Sequence, residues 1–169
     1  MDLDLSPEHA LLRDTIRDFM LTEVAPVVDE HERERRFPTE IVRRIGELGW
    51  LGIPFPEEEG GAGLDTLAYA IAVEEIGRVW GSLGLIVAAH TSLGCGPLHL
   101  AGTVEQQQRF LVPMARGEVI GAYGLTEPGA GSDSGGTRTT ARLEDGPDGG
   151  MWVLDGAKRF ITNAGQAGT

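Results

Sequence analysis

The residue pattern predicts an α+β chain, with an all-helical part over residues 1–118 and the opening strands of a sheet or barrel over residues 119–169. Three observations carry this expectation. Apolar side chains recur at helical spacing up to Arg116-Gly117. Capping residues stand where those helical runs begin. After Val119 the pattern changes: Thr137, Thr139 and Thr140 lie near an extended run, and Trp152-Val153-Leu154 follows the turn signal Asp145-Gly146-Pro147-Asp148-Gly149-Gly150.

The first helix is announced by Ser6-Pro7-Glu8, which sets a capping hydroxyl before a proline at the first helical position and a carboxylate in the positive first turn. Leu12, Ile16, Phe19 and Met20 then give one apolar stripe, which needs a partner to cover it. Ile41, Ile45 and Leu48 repeat the spacing, and Gly49 stands where a left-handed cap closes a helix. From Trp50 through Pro54, Pro56 and Gly60-Gly61 the missing amides and free dihedrals predict a loop. Asp65 caps a third helix carrying Leu67, Ile71 and Glu75, and the apolar run Leu85 to Leu93 predicts a fourth, the most buried of all. Thr103 and Gln106 have capping-box spacing, so a further helix should run toward Leu111 until Pro113 interrupts it. The β part ends soon after it begins, so few of its edges find partners and the domain reads as truncated.

Composition removes several function classes. A formal net charge of -12, with 41% hydrophobic and 24% charged residues, describes a packed globular fold and gives no basic stripe for nucleic acid. Arg33, Arg35 and Arg36, beside the run Asp29-Glu30-His31-Glu32, read as a solvated helix face. Cys95 is the single cysteine, which rules out an internal disulfide and leaves a small buried filler. The acidic start Met1-Asp2-Leu3-Asp4-Leu5 matches neither a secretory signal nor an Arg-rich leader, so a cytoplasmic protein is expected. Gly81 to Gly102 is apolar but interrupted by His90, Thr91, Ser92, Pro97 and His99, which argues for core helices and against a membrane span. His31, His90 and His99 lack a second ligand at i, i+4, so no metal site is expected and the histidines read as structural. Glu74 and Glu75 read as solvated or capping carboxylates, not as a general-base pair.

The chemistry is carried by two runs. In the first, Ala122-Tyr123-Gly124-Leu125-Thr126-Glu127-Pro128-Gly129-Ala130-Gly131-Ser132-Asp133, the glycines at 129 and 131 could turn backbone amides toward a phosphate, with the Ser132 hydroxyl beside them. Such a loop also serves as a simple turn. The spacing is not the Gly-x-Gly-x-x-Gly of a dinucleotide-binding βαβ unit. The second run is Asp155-Gly156-Ala157-Lys158-Arg159-Phe160-Ile161-Thr162-Asn163.

As ordered strings, both runs resemble the acyl-CoA dehydrogenase family. Ser92-Leu93-Gly94, Pro97, Gly102 and the stretch from Glu105 to Pro113 extend the resemblance over nearly the whole chain. It implies an N-terminal helical domain over 1–118 and the start of a middle β-barrel domain over 119–169. It further implies FAD-dependent α,β-dehydrogenation of an acyl-CoA thioester. In that resemblance Tyr123, Leu125 and Thr126 border the flavin pyrimidine, Ser132 meets the FAD diphosphate and the substrate, Phe160 packs on the isoalloxazine, and Thr162 faces N5. Many relatives carry tryptophan where this chain has Phe160. Ile86, Ala89 and Leu93 would line the acyl tunnel, although apolar residues at helical spacing serve equally as plain core. The resemblance implies an electron-transfer flavoprotein as acceptor and a homotetramer. The family's usual base, a glutamate of a later domain, is not among these residues, so no catalytic residue is assigned and the isolated chain is expected to be inactive. An acyl-CoA oxidase of the same architecture, or a non-catalytic helical interaction module, stay open as alternatives.

Overall fold

A computed structural model describes residues 4–145 and 150–168; the predicted turn centred on residues 146–149 lies outside them. Packing groups the chain into two compact units, one formed by Met1–Ala122 with Asn163–Thr169 and the other by Tyr123–Thr162.

The first unit is helical, and its starts follow the caps read from sequence. Helix α1, Pro7–Phe19, has Ser6 as N-cap, its Oγ accepting from His9 N at 3.3 Å. The stripe predicted on it is confirmed at Ile16, Phe19 and Met20, which are buried, with Leu12 packed beside them. The chain passes through a π turn at Met20–Val24 and a short 3-10 turn into α2, Val28–Glu34, which ends at Arg35 in the left-handed region. The charge run there is exposed as expected, with Arg36 paired to Glu30 and Glu34. In α3, Thr39–Glu47, the buried side chains are Val42 and Ile45; Ile41 is only partly covered and Leu48 lies toward solvent. Gly49 takes φ 76°, the left-handed stop its sequence position called for.

Asp65 caps α4, Thr66–Val79, accepting from Ala68 N at 2.8 Å. Ile71 and Ile76 face inward from this helix, while Leu67 is exposed. Glu75 corrects the expectation of a solvated carboxylate. It is buried and bound by both arms of Arg17, at 2.7 and 2.9 Å, and by Arg78 at 3.3 Å. The Arg17 guanidinium holds its carboxyl below the ordinary value.

The apolar run from Gly81 is one continuous helix with a wider middle: α5, Gly81–Ala88, a π turn at Ala89–Cys95, and α6, Gly96–Ala101. By length and composition Gly81–Ala101 could cross a membrane, and 44% of its most apolar window is buried, a combination that the core helix of a soluble bundle also shows. Leu83, Ile86, Val87, Ala89, His90 and Thr91 are interior, whereas Leu85 and Leu93 are exposed, so burial falls on one side and does not encircle the helix. The capping box at Thr103 and Gln106 is formed in both directions, at 3.2 and 2.9 Å. The helix it opens does not stop at Pro113. After α7, Val104–Gln106, a π turn at Gln107–Leu111 resets the ladder, so that Pro113 falls in the first turn of α8, Val112–Ala115, where a missing N–H costs little.

Two apolar clusters fill this unit among the described residues. The larger joins Ile16, Met20, Ile45, Leu51, Ile76 and Leu83; the smaller joins Phe55, Cys95, Leu111 and Met114.

The second unit is a loop and a hairpin. Strand β1, Thr140–Glu144, pairs antiparallel with β2, Met151–Asp155, with Leu143 opposite Trp152. These are the strands expected of the domain's beginning. Ala122–Thr126 has no ladder partner among the described residues.

Candidate functional site

Glu127, with 8% of its surface exposed, organises the second unit. Its carboxylate accepts from Lys158 Nζ at 2.8 Å and from the backbone N–H groups of Arg138 and Thr139 at 2.7 and 3.0 Å. Its own N–H and C=O close the turn to Ala130, at 2.9 and 3.2 Å. With Lys158 first and the two amides behind it, the carboxyl is held well below the usual carboxylate range. A group so firmly ionised is a structural anchor, not a proton acceptor.

Through Glu127 the two sequence runs are joined. Lys158 Nζ also donates to Leu125 O at 3.0 Å, and Arg159 N donates to Thr126 O at 2.8 Å. The carbonyl oxygens of residues 125 and 126 are therefore spent inside the protein. Among the described residues their N–H groups and the Thr126 hydroxyl have no hydrogen-bond partner.

Phe160 is the most telling residue of the pair of runs. It is 88% exposed, at φ 55°, with the Arg159 guanidinium 5.9 Å from its ring centre. A phenylalanine in left-handed backbone costs roughly 1–2 kcal/mol, and here the ring buries almost nothing in return. Phe160 lies in neither strand and in neither apolar cluster among the described residues. Tyr123 and Leu125 are also exposed, Thr126 and Thr162 are half-buried, and Ser132 lies open on its loop. What these elements can do chemically is present donors and a flat aromatic face to a planar, acceptor-rich ligand.

Other expectations fare differently. Gly129 and Gly131 do not adopt positive φ, and a Cβ at either would meet nothing within 4 Å, so the loop does not use their special freedom to form an anion nest. A cavity of about 330 Å³ beside this loop is lined by Glu127, Pro128, Gly129, Gly136, Arg138, Thr139, Gly156 and Ala157, and none of the six residues named for the cofactor faces it. In the helical unit Ile86 and Ala89 are interior, while Leu93 is 48% exposed, so the three do not share one surface.

The histidines behave as structural groups. His90 is fully buried: its Nδ1 accepts from Gly121 N at 3.0 Å, so Nε2 carries the proton and donates to Met114 O at 3.1 Å. Burial lowers its pKa to about 4. Cys95 lies against it, Sγ to Nε2 at 3.5 Å, and burial pushes the thiol up to about 12. His31 packs against Trp80 with the rings tilted and their centres 5.4 Å apart, and His99 Nδ1 is 2.6 Å from Glu59 Oε2. No cluster of metal-binding side chains occurs among the described residues.

Sequence reasoning overlooked Glu127, Lys158 and Asn163 as organising residues. A glutamate beside a proline and a lysine beside an arginine look like ordinary surface charge; only their separation by about thirty positions, closed in space, reveals the pairing.

Comparison with known proteins matches residues 6–118 to the acyl-CoA dehydrogenase N-terminal domain and residues 122–169 to the acyl-CoA dehydrogenase middle domain. The chain belongs to the acyl-CoA dehydrogenase family. Among curated relatives, the short-chain specific acyl-CoA dehydrogenase of Clostridium acetobutylicum is 50% identical over 169 residues, all of this chain and 44% of its own length. A solved chain from work on the electron transferring flavoprotein of Acidaminococcus fermentans superposes with TM-score 0.92 at 40% identity, covering 99% of this chain and 43% of that one. The acyl-CoA dehydrogenase of Bacillus anthracis, solved in complex with FAD, superposes with TM-score 0.87 at 41% identity, covering 97% of this chain and 28% of the other. The chain thus spans less than half the length of each of these three proteins.

Proposed function

We propose that this chain supplies the flavin-facing and acyl-facing contacts for FAD-dependent α,β-dehydrogenation of an acyl-CoA thioester carrying a short acyl chain. The observation that carries the reading is Phe160, strained and exposed on a run tied through Lys158 and Arg159 to residues 125–127. A bare ring held in that conformation suits a flat partner such as an isoalloxazine. When bound, FAD would accept the β hydride at N5 while a base removes the α proton of the thioester.

The roles of the chain's own residues follow from their free groups. The N–H groups of Leu125 and Thr126 and the Thr126 hydroxyl would donate to the pyrimidine edge, bordered by Tyr123, and donors fixed in advance stabilise the negative charge of the reduced ring without reorganisation. Thr162 would direct its hydroxyl toward N5. Ser132, exposed on its loop, would meet the diphosphate and the substrate. On the helical side Leu93, which is exposed, would border the acyl chain, whereas Ile86 and Ala89 lie in the core and are not assigned to it. The short chain length is supported by the Clostridium acetobutylicum relative, a short-chain specific acyl-CoA dehydrogenase. No base is assigned to this chain: Glu127 is committed to three donors, and Glu75 to two arginines.

The same reading takes residues 1–118 as the helical domain and 119–169 as the start of the middle domain, with an electron-transfer flavoprotein as acceptor. It includes a cytoplasmic homotetramer with neither a membrane span nor nucleic acid as partner. The two domain matches support the division, and the solved neighbour from work on an electron transferring flavoprotein supports the acceptor.

The test is made on the full-length protein. Purified protein should carry FAD, and anaerobic addition of butyryl-CoA should bleach the visible flavin band. Protein without FAD, or flavin that no acyl-CoA bleaches, would overturn the reading; peroxide released in air during turnover would mark an oxidase instead.

A further inference from the structure

Gly121 and Asn163 lie at the two places where the chain leaves the helical unit and returns to it. Both backbone polar groups of Gly121 are held by side chains. Its N–H donates to His90 Nδ1 at 3.0 Å, and its C=O accepts from Asn163 Nδ2 at 3.3 Å. The same Asn163 Nδ2 reaches Ile86 O at 3.2 Å, so one amide ties the outgoing segment, the returning segment and the long apolar helix together. There is no room for slack: a Cβ at Gly121 would stand 2.9 Å from Met114 Sδ and 3.3 Å from Gly94 Cα. The returning segment is pinned further on, where Gly168 N donates to Ile120 O at 3.0 Å.

Stability alone does not explain Asn163. It sits at φ 69°, and its Oδ1 is buried with no hydrogen-bond partner among the described residues, which costs free energy that an apolar residue would avoid. What the residue achieves in exchange is placement. Two peptide units, at most about 7 Å, separate Gly121 from Tyr123, and Thr162 directly precedes Asn163.

We propose that His90 and Asn163 are positioning residues for the flavin contacts, gripping Gly121 from both sides so that Tyr123 and Thr162 start from fixed points. This rests on the flavin reading above. His90 supplies the acceptor from a π turn, whose wider backbone is a frequent feature of functional segments. Neither is among the residues assigned above to the cofactor.

The experiment is made on the full-length holoenzyme with His90→Asn, His90→Gln and Asn163→Ala. Asparagine at 90 keeps an acceptor where Nδ1 stands and loses the donor to Met114 O; glutamine keeps the donor and loses the acceptor. Both should lower the melting temperature. If the grip on Gly121 positions the flavin contacts, His90→Gln and Asn163→Ala should raise the Kd for FAD roughly tenfold and blur the flavin absorption bands, while His90→Asn keeps both near wild type. Equal flavin affinity and spectra in the Asn and Gln variants, or losses that merely follow melting temperature, would overturn the proposal even if Asn163→Ala does not fold. A wild-type protein that takes up no FAD would instead overturn the underlying flavin reading, and this proposal with it.

Discussion

Ile76 in the helical unit is fully buried within a cluster drawn from several helices, whereas Trp152 on β2 of the hairpin unit stands 65% exposed. The first unit is held by apolar burial; the second is held by one carboxylate and its donors, and its large apolar side chains, Leu143, Met151, Trp152, Leu154 and Phe160, face solvent within this chain. The difference teaches what holds each unit: apolar burial closes the first on its own core, while hydrogen bonds order the second.

The contrast can be broken first at its strongest point. Ile76→Ala should cost about 2–5 kcal/mol, read as a lower denaturation midpoint, because it deletes buried methylenes and leaves a cavity. A loss below about 1 kcal/mol would mean that the helical unit is not the tightly packed body described.

Next in size is an acid effect at His90. Its folded pKa, about 4, lies below the ordinary 6.5, so the unfolded chain binds the proton first as pH falls. Stability should therefore be unaffected by His90 above about pH 6.5 and decline progressively toward pH 4, by about 3 kcal/mol in total. His90→Asn should flatten that part of the curve. A wild-type curve with no slope between these values would show that His90 is not kept neutral by burial.

Thr103→Ala should cost about 1 kcal/mol by opening the capping box. Trp152→Ala, on the exposed hairpin, should cost less than about 0.5 kcal/mol in the same chain. The ratio between Ile76→Ala and Trp152→Ala sharpens the comparison more than either value, since comparable losses would place a hidden core in the hairpin unit.

Much of this architecture was legible because it is local. The caps at Ser6, Asp65 and Thr103, and the left-handed stop at Gly49, involve residues within a few positions of one another, and propensity reads such distances well. The π turns were not legible: a ladder widened by one residue leaves no mark on composition, which is why Pro113 looked like a helix end. The buried Glu75 was hidden because its partner Arg17 lies on another helix. For the site, the ordered strings pointed to the family that the domain matches show, while Gly129 and Gly131 do not adopt the positive φ that an anion nest would use. What draws those segments together, Glu127 and Lys158, depends on contact across a long stretch of sequence that no local rule detects.

The central claim is that the ring of Phe160 is displayed for a flavin. Titrating FAD into the full-length protein and its Phe160→Ala variant tests it most directly, with the melting temperatures of the two apo proteins measured alongside to separate a flavin contact from a role in folding. The expected result is weaker FAD binding in the variant, with flavin fluorescence less quenched than in wild type. Unchanged affinity together with unchanged fluorescence would contradict it.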